Sequence, residues 1–279
     1  MELPSRLDLP FFAYGLFRPG QLGFLRVRAY VIDAKPSSVR GDLRIRDGLP
    51  IADGSGQGLI HGSVLVFAPG LGLAPYERIV EIEPGSQYVW GSAFADDTEC
   101  NILWGRSPTK GSIPLEEPDW DGRDDPLFTT ALEVVEEALA ANSQFAWDLR
   151  PMFRLQMAYL LLWSSIERYT SLRYHLGDKA FDKVKQLASE AEFVRAMKSL
   201  TVAGDRSVQR ADRPTDRIRF DPGNPARCIE YYYQLRSNIV HRGKGVVRDH
   251  DRIREALTEL LPAFKKTLEE AFGSASLDA

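Results

Sequence analysis

Leu235-Arg236-Ser237-Asn238-Ile239-Val240-His241-Arg242-Gly243-Lys244 carries an arginine and a histidine five positions apart, near the end of a strongly patterned helical stretch. A guanidinium stays charged at any physiological pH and matches phosphate geometry, while an imidazole exchanges a proton near neutrality. Together they suffice to cleave RNA without a metal, His241 as proton carrier and Arg236 as stabiliser of developing phosphorane charge. Residues i and i+5 lie about 140° apart around a regular helix, so the pair does not stack on one face. A two-fold dimer overcomes that offset by setting Arg236 of one copy near His241 of the other in a composite cleft.

Working outward, Arg227 to Val240 and Ile253 to Phe272 read as the last two helices, the latter with Ile253, Leu257, Leu260, Leu261, Phe264 and Leu268 on one face. Upstream, Met152, Leu155, Tyr159, Leu162, Ile166 and Tyr169 recur at helical spacing after Pro151, and Leu127 to Ala146 precedes them as a further helix. Asp178 is placed to cap a helix from Lys179 to about Leu200. Four or five antiparallel helices predict an all-α bundle over residues 127–279, with a small-residue tail after Phe272 expected to fray. Between Thr201 and Pro225 runs a long arginine-rich connection, and loops of that length are functional or disordered. Twelve basic residues face seven acidic ones from Asp205 to Arg254, beside three tyrosines, Tyr231 to Tyr233. That combination suits a phosphate backbone with unstacked bases and nominates Arg213, Arg217, Arg242 and Lys244 as RNA contacts. The plainer reading is a solvated loop above tyrosines that belong partly to the core.

The first hundred residues change character. Leu25 to Ile32, Val39 to Ile45, Leu59 to Phe67, Tyr88 to Phe94 and Asn101 to Trp104 read as short strands between glycine, proline and aspartate clusters, which predicts a small mixed β-barrel over 1–105, with Trp90 and Trp104 in its core. Residues 106–126, with four prolines from Pro108 to Pro126 and an excess of acids, read as a linker. The fold class is therefore α+β, a barrel followed by a helical bundle. The 279 residues carry a net charge of −4, with 44% hydrophobic and 27% charged residues, ordinary for a globular protein and opposed to indiscriminate nucleic-acid adhesion by the whole surface. No apolar run spans a bilayer and Met1-Glu2-Leu3-Pro4 does not open a secretory signal, so the expected location is cytoplasmic, with no membrane contact. Cys100 and Cys228 belong to no Cys-x-x-Cys pair, which supports neither a disulfide framework nor a zinc site, and no cofactor is called for. His61, His175 and His250 lack metal-ligand spacing.

The run Tyr232 to Lys244, preceded by a helix ending Leu162-Trp163-Ser164-Ser165-Ile166-Glu167 and followed by an amphipathic helix, resembles the HEPN domain over roughly Leu127 to Phe272. The resemblance implies a helical, dimeric, metal-independent endoribonuclease of toxin and antiphage systems, with Arg236 and His241 as the catalytic pair. Ser237 then follows the arginine where relatives often carry asparagine, aspartate or histidine; Asn238 is a second supporting residue and Glu167 orients the arginine. An antitoxin or defence-system partner is implied as well.

Phe12-Ala13-Tyr14-Gly15-Leu16-Phe17-Arg18-Pro19-Gly20, with Arg46 to Pro50 and Glu83-Pro84 ahead of Tyr88 and Trp90, is similar to the γ-glutamylcyclotransferase-like fold over roughly Leu9 to Trp104. This resemblance implies a pocket of Tyr14, Gly15, Leu16, Glu83 and Tyr88, with Glu83 as acid/base toward a small amine or γ-glutamyl-like ligand. Leu16 stands where that family has a hydroxyl residue, and Val80 replaces its aspartate. The function expected first is a HEPN-type endoribonuclease acting as a regulated toxin or antiphage effector, with an N-terminal domain that senses a ligand or partner. The alternatives are a cyclotransferase-like enzyme using Glu83, whose helical domain only dimerises, and a non-catalytic interaction module.

Overall fold

The computed structural model describes residues 1–83, 85–116, 119–141, 149–174, 180–201, 205–210, 213, 215–242 and 250–277, without the side chains of Leu149, Ala180, His241 and Arg242. The chain is mixed α+β and divides into two compact units, Met1–Asp125 with Ala271–Ala279, and Pro126–Glu270.

In the first unit, β1 (Phe11–Ala13) lies at the centre of a five-stranded sheet ordered β2 (Val31–Arg40), β5 (Leu59–Phe67), β1, β7 (Thr98–Gly105), β6 (Tyr88–Ala95). It runs antiparallel to β5 and parallel to β7. A second sheet of three strands is ordered β4 (Leu49–Asp53), β3 (Asp42–Arg46), β8 (Ile113–Pro114). Phe12, Val39, Ile60 and Ile102 of the first sheet and Leu43 and Ala52 of the second share one core with Trp120. The expected barrel is thus corrected to two packed sheets: no closed ring of strands exists among the described residues.

Four further corrections have identifiable causes. Leu25 to Ile32 joins a strand only at Val31, where β2 begins, and before it lie helix α1 (Phe24–Val27) and a 3-10 turn (Arg28–Tyr30). Phe24, Val27 and Val31, buried and spaced by three and four, are a helical signal. Val39 to Ile45 is split at Gly41, whose φ of +150° no side chain tolerates easily and whose Cβ would meet the Asp53 carbonyl oxygen at 2.9 Å. The acidic stretch from 106 to 125 is not a linker. Within it β8 pairs with β3, buried Trp120 donates from Nε1 to the Gly48 carbonyl (3.3 Å), Asp119 pairs with Arg18, and Asp121 accepts from Gln21 (2.9 Å). Acids that find such partners are anchors. The small-residue tail does not fray where it is described: Ala275 is buried and accepts a hydrogen bond from the Gly20 amide (2.8 Å).

The second unit is built on α3 (Thr130–Ala141), α4 (Leu149–Tyr174), α7 (Pro225–Arg242) and α8 (His250–Gly273). Tyr159 of α4 donates to the Tyr232 carbonyl of α7 (2.7 Å), and Tyr169 packs edge-on against Phe264 of α8. The helix expected from Lys179 to Leu200 is broken into α5 (Ala180–Val184), a 3-10 turn (Lys185–Ser189) and α6 (Ala191–Lys198), with Asp178 outside the described residues. The all-α expectation is corrected by an antiparallel strand pair, β9 (Ser207–Gln209) and β10 (Arg217–Arg219), inside the arginine-rich connection. Among the described residues no helix is long and apolar enough to cross a membrane.

Candidate functional site

Two sites emerge, one in each unit. In the first, β1 ends at Ala13 and hands the chain to Tyr14, Gly15 and Leu16, while α2 (Ala74–Ile82) ends directly before Glu83. These residues meet Tyr88, Leu49 and Pro50 around a cavity of about 20 Å³, room for roughly one water molecule. Its walls are otherwise apolar, among them Phe11, Phe17 and Leu103. Burial pushes the Glu83 carboxyl up from 4.5 to about 8, and no hydrogen bond or ion pair reaches it among the described residues. The neighbouring phenols point their protons elsewhere, Tyr14 to the Leu103 carbonyl (2.6 Å) and Tyr88 to the Pro50 carbonyl (3.1 Å). Burial, then the nearby Glu83 charge, raises both of their ionisations. Gly15 is packed so closely that a Cβ would lie 2.5 Å from Pro50 Cγ. A protonated carboxyl in such a pocket can donate or take a proton at neutral pH, but any ligand larger than water requires the walls to part. Trp90 and Trp104 lie half-buried beside this region, Trp90 edge-on to Phe11 and Tyr76.

In the second unit, Arg236 is half-buried on α7. Its Nη2 pairs with Glu167 Oε1 at 3.1 Å, and its guanidinium lies 5.4 Å from the centroid of the Tyr233 ring. Helix α7 continues through His241, whose side chain, like that of Arg242 and all of Lys244, lies outside the described residues. Ser237 faces a groove between α7 and β10 that also receives Phe181, Arg217, Tyr233 and Gln234. Asn238 is buried and acts as a strut: it donates to the Gln209 carbonyl of β9 (2.9 Å) and accepts from Gln234 (2.8 Å). Arg217 and Arg213 are both exposed, but Arg213 is not part of the groove wall.

The arginine-rich connection is less available than its composition suggests. Arg206 makes two hydrogen bonds to Glu259, both 2.7 Å, between the rings of Phe220 and Tyr231. Arg219 pairs with Asp205 and Arg227 with Glu230. Tyr231 and Tyr232 are core residues, Tyr232 donating to Glu259 (2.7 Å), and Tyr233 is left at the groove. Sequence reasoning missed Phe181 and Gln234. The only available signal was Gln234 and Ser237 at helical spacing on the face of Arg227.

No family model matches the chain, and no curated protein matches it. An uncharacterized protein from Pyrococcus horikoshii, known from its crystal structure, is similar over 41% of this chain and 91% of its own, at 23% identity and a TM-score of 0.32.

Proposed function

We propose that the chain is a metal-independent endoribonuclease of HEPN type, working as a dimer. The observation that carries this reading is Arg236, held by Glu167 and Tyr233 on the helix that runs on to His241, with Tyr233 itself lining an open groove. In the mechanism His241 accepts the proton of a ribose 2′-hydroxyl as its oxygen attacks the adjacent phosphorus. The P–O5′ bond breaks, the imidazolium returns the proton to the departing 5′-oxygen, and a 2′,3′-cyclic phosphate remains. Arg236 stabilises the charge gathering on the non-bridging oxygens. A role as toxin or antiphage effector, with the first unit sensing a ligand or partner, follows from the same reading.

The test is cleavage of RNA in EDTA by purified parent, Arg236→Ala and His241→Ala proteins. Loss of either group is expected to lower the rate by on the order of 10² to 10⁴ and to relieve toxicity on expression. Parental cleavage by folded His241→Ala, or cleavage abolished by EDTA, overturns the reading.

A second reading has its own support: Tyr14, Gly15, Leu16, Glu83 and Tyr88 line one cavity, and Glu83 is protonated near neutrality within it. That suits proton exchange with a small amine or γ-glutamyl-like ligand. Leu16 and Val80 stand where that family has a hydroxyl residue and an aspartate, so the expected release of 5-oxoproline from γ-glutamyl amines is negligible. Robust turnover lost in Glu83→Gln would put this reading first.

A further inference from the structure

The groove between β10 and α7 is a space of about 670 Å³ confined to the second unit. Phe181 and Tyr233 meet in it with ring centroids 4.8 Å apart and planes tilted by 37°, and the exposed Lys185 ammonium lies 4.4 Å from the Phe181 centroid. Tyr233 is also the ring beside which Arg236 sits, so the aromatic pair borders the proposed reaction centre directly. Arg217, which also lines the groove, is exposed and makes no ion pair among the described residues, whereas Arg227 is occupied by Glu230 at 2.7 Å. Aromatic rings and an open guanidinium lining one groove are the combination that single-stranded nucleic acid uses, a base on the ring and a phosphate on the cation. Double-stranded RNA has its bases stacked internally and gives such a ring nothing to bind.

We infer that this groove is a subsite for one unpaired RNA nucleotide flanking the scissile phosphate, its base on Phe181 in place of the Lys185 ammonium and its phosphate on Arg217. The inference rests on the nuclease reading and deepens it: the nucleotide beside the cut is held in this groove by stacking and by one phosphate contact.

The experiment uses the full chain and a 2′-O-methyl oligouridylate, which lacks the attacking hydroxyl, carrying one 5-iodouridine. Irradiation is expected to crosslink the base to Phe181 or Tyr233. Arg217→Ala is expected to weaken binding several-fold and to flatten the salt slope by about 0.7. Phe181→Leu is expected to bind roughly tenfold more weakly, and Phe181→Tyr, which keeps the ring, to bind like the parent. Crosslinks confined to residues outside the groove, or parental affinity in both Arg217→Ala and Phe181→Leu, overturn the subsite. Cleavage of unmodified RNA separates the two claims. A protein that cuts RNA with a silent groove keeps the nuclease reading and removes the subsite, whereas crosslinking at Phe181 without cleavage keeps the subsite and removes the nuclease. Failure to bind any RNA removes both.

Discussion

Glu83 illustrates how much a single desolvated carboxyl can determine. Its proton is held more tightly in the fold than in the unfolded chain between about pH 4.5 and 8, so its contribution to stability falls as pH rises through that window and is fully unfavourable above it. Glu83→Gln, which mimics the protonated acid, should therefore melt with the parent at pH 5 and on the order of a few degrees higher at pH 9. Calorimetry at the two pH values checks this, and equal melting at both would show that the carboxyl is not desolvated. Glu167 pairs with Arg236, which under the nuclease reading makes it a positioning residue. Under the nuclease reading, Glu167→Gln should cut RNA about tenfold more slowly while leaving the pH limbs set by His241 in place. A shifted pH profile would mean that Glu167 itself handles the proton.

Among the elements, the strand pair β9 and β10 is pinned to the helices by Arg206, locked on Glu259, and by Asn238, locked on Gln209. Removing one partner of a buried pair strands the other charge, so Arg206→Ala should cost about 3 kcal/mol of unfolding free energy in urea. Arg206→Met with Glu259→Leu should recover much of it. A cost below about 1 kcal/mol for Arg206→Ala would show that the pair anchors nothing. This network also marks where sequence reading stops. Long periodic segments such as α4 and α8, and the strand Leu59–Phe67, were legible because each carries several apolar repeats of one period. Three-residue β1 and two-residue β8 carry less than one repeat. The turn at Asp47-Gly48, with φ of 53° and 75°, announced the β3–β4 hairpin by its Asp-Gly pair, but short apolar flanks masked it. At the sites, Arg236 stood out by its chemistry and its spacing from His241, and Glu83 by the family resemblance around it. That Arg206 is occupied, and that Arg217 lines the same groove as Phe181, depends on pairings far apart in the chain that no local pattern encodes.

The whole molecule presents on its second unit an apolar groove between α3 and α4, where Val134 is 46% and Met157 71% exposed, flanked by Glu137 and Arg154. Under the nuclease reading, which requires a dimer, this groove is the face expected to seat a second copy, with Arg154 of one against Glu137 of the other. Light scattering should give about twice 31.4 kDa for the parent, and Met157→Glu should halve that mass and lower RNA cleavage with it. A Met157→Glu protein that remains dimeric would move the interface elsewhere.

The hydrogen bond from Gly20 to the Ala275 carbonyl belongs to the first unit, yet the whole of the second unit is made between its two ends. A ribosome exposes Gly20 first and reaches Ala275 only after the second unit has been polymerised. The first unit therefore closes this strap late, and a chain interrupted within the second unit carries the first one unlatched, more open to proteolysis than the finished protein.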